Sequence, residues 1–111
     1  MLPTRFAYNA VTKSDETDEV GSIMAHRYSE KRLLQAVMWH VRRKIWMYAP
    51  AIAVGYLNDT GYMDRITEID RPTAERIARQ KLGTDLPSEE TLAAMCEEGD
   101  RMGWRLGPPE E

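Results

Sequence analysis

The chain has 111 residues, 42% hydrophobic and 30% charged, with a formal net charge of −3. This length is typical of one domain that buries a core, and the composition excludes a wholly disordered chain. A single cysteine, Cys96, excludes an internal disulfide and a zinc site made of thiolates.

Charge is unevenly distributed along the chain. Residues 23–50 contain six Lys or Arg and one Glu, whereas residues 84–111 contain two Arg and eight Asp or Glu. Such asymmetry indicates either a charged partner or two segments of the same chain that neutralise each other.

The first 22 residues divide into two parts. In "RFAYNAV" the alternation of Phe6, Tyr8 and Ala10 predicts a short strand over 5–11, and "TKSDETDEVGS" predicts an exposed acidic loop. The N-terminus has no apolar region of a signal peptide, and the longest apolar run is too short for a membrane helix. We therefore expect a cytoplasmic protein with no membrane segment.

Residues 23 or 29 to 48 are predicted to form one long helix. Ser22 and Ser29 are alternative N-caps, and Pro50 disfavours helical geometry beyond residue 48. On a helical wheel, one arc would form the core face, namely Leu33, Leu34, Val37, Met38, Val41, Ile45 and Tyr48.

The next segment is ambiguous. "PAIAVGYL" (50–57) is apolar without a clear period and fits a buried helical turn or a short strand. "NDTG" (58–61) predicts a turn, and "RITEI" (65–69) fits a strand or an extended connector.

Two more helices follow. Pro72 near the start, the spacing of Ala74, Ile77, Ala78 and Leu82, and Gly83 at the end predict a helix over 71–82. Ser88 is the predicted N-cap of another helix, with Glu89 and Glu90 in its first turn. Its apolar side would consist of Leu92, Met95, Cys96 and Met102.

The predicted fold is therefore mainly α: one helical domain of about three helices over 23–106, with one or two short strands as an open alternative. Residues 1–22 would form a separate N-terminal segment, and 107–111 a frayed tail.

The predicted long helix also has a second face that is aromatic and basic. Trp39 and Trp46 fall opposite the core arc, and Trp and Arg are enriched at interface hot spots. The predicted partner-binding residues are Tyr28, Lys31, Arg32, Gln35, Trp39, Arg42, Arg43 and Trp46. The chain's own acidic helix, a second copy or a foreign protein could cover this face.

No catalytic, metal or cofactor motif is found. His26 and His40 would lie about 21 Å apart on a helix, too far to share a metal, and Cys96 is predicted to be a core residue. We expect a non-catalytic intracellular regulator or adaptor that binds another protein or itself as a homodimer. Such chains are common among phage and plasmid accessory and inhibitor proteins.

Two alternatives remain open. The protein could bind nucleic acid through the basic segment 30–48, or its acidic helix could block a basic nucleic-acid-binding surface of another protein. Direct nucleic-acid binding is the first of these alternatives, but it is less expected than protein binding, because the acidic C-terminal segment offsets the cations of the basic segment.

Overall fold

A computed structural model describes residues 6–12, 20–28, 33–58 and 66–108. Along these residues the strands are β1 (Ala7–Thr12), β2 (Val20–Tyr28), β3 (Leu34–His40), β4 (Ile45–Tyr48) and β5 (Ile66–Ile69). The helices are α1 (Pro50–Asn58), α2 (Arg71–Ile77), which continues as a π-helical turn over Ala78–Leu82, and α3 (Glu89–Met102).

The five strands form one antiparallel sheet in the order β4-β3-β2-β1-β5. The first four strands follow one another as hairpins, and α1 then carries the chain across the sheet so that β5 pairs with β1. The two edges of the sheet are therefore β4 and β5.

Both faces of the sheet are covered by helices. On the α2/α3 face, one row of paired residues crosses all five strands and packs against α2 and α3: Ile69, Tyr8, Ala25, Val37 and Tyr48. On the α1 face, Val11, Met24, Ala36 and Met38 pack against Ala53 of α1.

The prediction of a mainly α, helical fold is wrong, because the segment expected to form one helix over 23–48 forms most of β2 and all of β3 and β4. Strands covered on both faces read as continuous apolar runs, and such a run also fits a helical wheel. "LQAVMWH" buries alternate residues on opposite faces: Ala36 and Met38 on one, Gln35 and Val37 on the other.

The predicted core arc fails for the same reason. Val37, Met38 and Tyr48 are buried, but Leu33 is 61% exposed and Val41 is 58% exposed. Pro50, expected just beyond the end of a helix, instead begins α1.

Other predictions are confirmed. β1 and β5 lie where strands were expected, and residues 50–57 form a helix, which answers the ambiguity there. Pro72 lies in the first turn of α2, Gly83 ends its π-helical turn in the left-handed region, and Ser88 caps α3 through the Thr91 amide. The N-cap of α2 is Asp70, which was not predicted. Met102, however, is 56% exposed and was wrongly placed on the apolar side of its helix.

Some predictions fall outside the described residues. They concern residues 13–19 of the acidic loop expected over 12–22, the cap at Ser29, most of the turn at 58–61, Lys31 and Arg32, and the end of the tail at 109–111. Residues 20–22 of the expected loop lie in β2, so the loop prediction and the helix cap at Ser22 are wrong there. The expected domain boundary at residue 22 falls within β2. Among the helices described, none is long and apolar enough to cross a membrane.

Candidate functional site

The basic stretch "VRRK" forms the tip of the β3–β4 hairpin, not the face of a helix. The turn closes when the Lys44 amide donates to the His40 carbonyl at 2.8 Å, and the Arg43 amide donates to His40 Nδ1 at 3.0 Å. Lys44 lies in the left-handed region with φ of 55°. Non-glycine residues are uncommon in this region of backbone conformation and occur mostly in turns. The exposed residues of the tip are Val41, Arg42 and Lys44.

The two tryptophans of this hairpin are cross-strand partners. Trp39 lies directly opposite Trp46, with ring centroids 5.4 Å apart and ring planes tilted by 57°. A pair of this geometry contributes about 0.5–1.5 kcal/mol beyond its buried area. Trp46 packs against the core of the α2/α3 face, and its Nε1 is buried with no acceptor among the described residues.

Strand β4 presents unpaired backbone groups at the edge of the sheet. The Ala49 amide donates to the Ala36 carbonyl at 2.9 Å. Because bonded and non-bonded pairs alternate in an antiparallel ladder, the backbone N–H and C=O groups of Trp46 and Tyr48 point away from β3. No backbone hydrogen bond within the described part of the chain takes up these outward groups.

An apolar cleft of about 280 Å³ follows this edge. Trp46 and Tyr48 reach it from the α2/α3 face and Met47 from the α1 face, so the cleft lies at the edge itself. Its other walls are α3, with Met95, and the C-terminal segment, with Trp104 and Pro108. We call it the edge cleft.

The C-terminal segment 104–108 is held beside β4 at three points. The Arg105 carbonyl accepts from the Ala51 amide at 3.0 Å, and the Pro108 carbonyl accepts from Arg43 Nη1 at 2.8 Å. Gly107, with φ of 89°, lies against the Met47 side chain. These contacts form one wall of the edge cleft and leave the outward backbone groups of β4 unbonded.

A second cleft, of about 640 Å³, lies on the other side of the tryptophan pair. Trp39, Val41 and Lys44 line it from the hairpin, and Lys81 and Leu82 from the π-helical turn, with Val20, Gly21, Gly83 and Thr84 completing the lining. Both charged side chains in this lining are lysines. We call it the basic cleft.

The acidic helix packs on the sheet of its own chain. Asp100 accepts a very short hydrogen bond from the Tyr48 hydroxyl and a second from Gln35 Nε2 at 2.7 Å. Gln35 Oε1 accepts from Arg27 Nε at 2.7 Å. Burial, followed by the hydrogen bond to Asp100, raises the pKa of Tyr48 well above its ordinary value, so the phenol stays protonated and donates.

A second polar group ties the other end of α3 to β1. Tyr8 donates to Glu89 Oε2 at 2.9 Å and accepts from Arg71 Nη1 at 2.6 Å. Burial raises the pKa of Tyr8 to about 12. Cys96 is fully buried between these two groups, and burial raises the pKa of its thiol to about 12, which favours the core role expected from the sequence.

The predicted binding residues are therefore divided. The tip of the β3–β4 hairpin and the strand residues next to it contain Trp39, Arg42, Arg43 and Trp46. Gln35 lies further along β3, is 5% exposed, and donates to Asp100. Tyr28, at 57% exposed, shares the α1 face with its cross-strand partner Leu34.

Most residues that line the two clefts were not among the predicted binding residues, and they include Lys44, Tyr48, Lys81, Met95 and Trp104. Lys44 lies in the turn directly after the predicted Arg42 and Arg43, so its place in that basic run was the signal for it. The other four residues come together only through the tertiary fold. Comparisons with protein-family models, curated proteins and solved structures found no match for the chain.

Proposed function

We propose that the protein is a non-catalytic binding protein, acting as a regulator or adaptor, that takes an extended segment of a partner protein onto the β4 edge. The observation that carries this proposal is the combination of outward backbone groups at Trp46 and Tyr48 with an open apolar cleft along the same edge. Strand addition at a sheet edge is a common mode of peptide recognition.

The backbone groups of β4 and the edge cleft contribute differently to binding. The outward N–H and C=O groups supply hydrogen bonds that any extended chain can make, and the cleft selects the side chains that point into it. Trp46 and Trp104 provide rigid aromatic walls, which are typical of interface hot spots. The edge cleft accommodates only a short part of the segment, so backbone pairing provides its alignment.

The β5 edge is a poorer candidate for the same role. Both edge strands have four residues, so their lengths do not distinguish them. Thr67 and Glu68 in the middle of β5 are exposed. A charged residue on an edge strand is a device that prevents pairing, and none of the four residues of β4 is charged.

A matched pair of variants tests the proposal. Trp46→Ala and Trp46→Pro both remove the indole, but only proline also removes the outward N–H. Proline is tolerated on an edge strand where its missing N–H faces solvent, so the two variants should have similar thermal stability as free proteins.

Displayed random peptides selected on the wild-type protein provide the binding partners for this test. We expect recovered peptides that bind Trp46→Ala measurably and Trp46→Pro at least about tenfold more weakly, since one backbone hydrogen bond and its alignment are lost. Equal binding to the two variants would contradict the proposal. Sedimentation velocity of the wild type would identify a second copy of the chain as the occupant if a dimer forms and the proline variant dissociates it.

A further inference from the structure

The charges that line the basic cleft are of one sign. Lys44 comes from the hairpin tip and Lys81 from the π-helical turn after α2, and no acidic side chain lines the cleft among the described residues. We infer that this cleft binds an acidic peptide segment, with carboxylate side chains at the two lysines and an apolar side chain against Trp39.

The local backbone fixes the parts of this cleft before any ligand binds. The Trp39 ring packs against its cross-strand partner Trp46. The backbone of Lys44 is fixed by its left-handed conformation and by the hydrogen bond that its amide donates to the His40 carbonyl. On the other wall, the Thr84 amide donates to the Ala78 carbonyl at 3.0 Å, which fixes the turn that follows Lys81. A prearranged site loses less conformational entropy on binding.

Asp85, the acidic residue that follows Thr84 of this cleft in the described part of the chain, does not neutralise the lysines. Asp85 lies at 3.0 Å from Arg79 Nε in an exposed ion pair, so its charge has its own partner. The negative end of the helix dipole accounts for a lysine in the last turn of the α2 helix, but it gives no reason for Lys44 on a separate element. Two cations from two elements beside an apolar wall indicate a ligand that is both anionic and apolar.

The number of cations favours a peptide over a nucleic acid. Proteins that bind duplexes tightly make roughly 6–10 phosphate contacts, whereas this cleft provides two lysines on a chain with net charge −3. Two lysines match one or two carboxylates of a peptide. The apolar lining from Val20, Val41 and Leu82 matches an aliphatic or aromatic side chain between those carboxylates.

This inference and the β4 proposal concern separate surfaces of one hairpin. The basic cleft is lined by Trp39, and the edge cleft by Trp46. Either surface can bind without the other, so Trp104→Ala, which changes the edge cleft and leaves the tryptophan pair intact, should weaken edge binding and leave acidic-peptide binding at the basic cleft unchanged.

A nuclear magnetic resonance titration tests the inference with defined probes. The probes are a glutamate-rich peptide with one central leucine, its glutamine analogue, inorganic phosphate and oligothymidylate. We expect the acidic peptide to shift the Trp39 indole signal, assigned by Trp39→Phe, and the glutamine analogue to bind about tenfold more weakly or not at all. Binding of the acidic peptide should weaken as salt rises.

The matched controls change the same net charge at different places. Lys44→Gln with Lys81→Gln should weaken the acidic peptide about tenfold, whereas Arg76→Gln with Arg101→Gln, at exposed positions outside the cleft, should change affinity less than about twofold. Equal loss in both double variants, equal binding of the glutamine analogue, no binding of the acidic peptide, or tighter binding of oligothymidylate or phosphate at the same residues would each overturn the inference.

Discussion

The two ends of α3 are attached to the sheet by polar groups that look alike but differ in kind. Each contains a buried tyrosine from the sheet that donates to a carboxylate of the helix: Tyr48 to Asp100 at the C-terminal end and Tyr8 to Glu89 at the N-terminal end. Each also includes an arginine: Arg27 donates to Gln35 at the C-terminal end, and Arg71 donates to Tyr8 at the N-terminal end.

At the C-terminal end the contact is close and depends on shape. Gly99 has no side chain, and the Tyr48 ring occupies the place where a β-carbon would lie. The Asp100 carboxylate then serves two donors, Tyr48 and the buried Gln35, while Arg27 acts only through Gln35. Loss of the carboxylate would leave buried donors without acceptors, which costs more than the loss of an exposed hydrogen bond.

At the N-terminal end the contact depends on charge and is reinforced by other bonds. Arg71 donates to Tyr8 and also to the Pro87 carbonyl at 2.9 Å, and Ser88 caps the helix independently of Glu89. Removing the Glu89 carboxylate leaves the arginine and the cap in place. The comparison indicates that α3 is fixed mainly at its C-terminal end, beside the tryptophan hairpin.

The largest expected effect is that of Gly99→Ala. The new β-carbon would overlap the Tyr48 ring, and the ring cannot move without losing its hydrogen bond to Asp100. Overpacking of this kind costs about 1–3 kcal/mol and occasionally more, and we expect a loss of about 3 kcal/mol in a denaturant titration.

Gly55→Ala in α1 is the control for this substitution. A β-carbon at Gly55 has no heavy atom within 4 Å, so alanine should stabilise the helix by about 0.5–1 kcal/mol. If Gly99→Ala were also stabilising, the shape-dependent contact with Tyr48 would be refuted.

The second effect is that of Asp100→Ala. It removes the acceptor for both Tyr48 and Gln35, whose side chains are buried, and each buried donor without a partner costs about 1–3 kcal/mol. We expect a loss of about 2 kcal/mol, measured by chemical denaturation. Asp100→Asn keeps one acceptor oxygen and should lose about half as much. Equal losses in the two variants would contradict this, because the retained oxygen would then contribute nothing as an acceptor.

Helices α2 and α3 could be predicted because the sequence signals at their ends are local. Pro72, Gly83 and Ser88 mark helix ends through backbone geometry and capping, and the structure places each at the expected end. The strand at β1 could also be predicted, since Tyr8 and Ala10 alternate with residues of the opposite face.

The hairpin β3–β4 could not be predicted in the same way. Its strands are covered on both faces, so alternation is lost, and its turn consists of Val41, Arg42, Arg43 and Lys44 rather than glycine or asparagine. The Asp100 group joins residues far apart in the sequence, such as Gln35 and Asp100. No spacing within the chain indicates such a contact.

The third effect is that of Glu89→Ala, and it should be smaller than that of Asp100→Ala. The Tyr8 hydroxyl loses the carboxylate to which it donates, while Arg71 continues to donate to the same hydroxyl. We expect a loss of about 1 kcal/mol. Glu90→Ala changes the same charge in the same helical turn at an exposed position, and its smaller loss in thermal unfolding would isolate the Tyr8 bond from the helix-dipole contribution.

The smallest effect is a loss of stability at alkaline pH that depends on Tyr8. Burial raises its pKa in the folded protein to about 12, above the ordinary value of 10.0, although Arg71 opposes this rise by donating to the phenol oxygen. The unfolded chain therefore loses this proton first. Stability from Tyr8 is fully present below pH 10 and is lost as pH rises from about 10 toward about 12.

Tyr8→Phe removes this titration and should flatten the fall in stability across that window. Tyr28→Phe is the control, because that phenol is 57% exposed and lies on the opposite face of the sheet. The measurement is the denaturation midpoint as a function of pH for the three proteins. Parallel curves for wild type and Tyr8→Phe would show that the surroundings of Tyr8 do not raise the pKa of its phenol. Among the polar contacts of α3 with the sheet, those of Asp100 would then be the main ones.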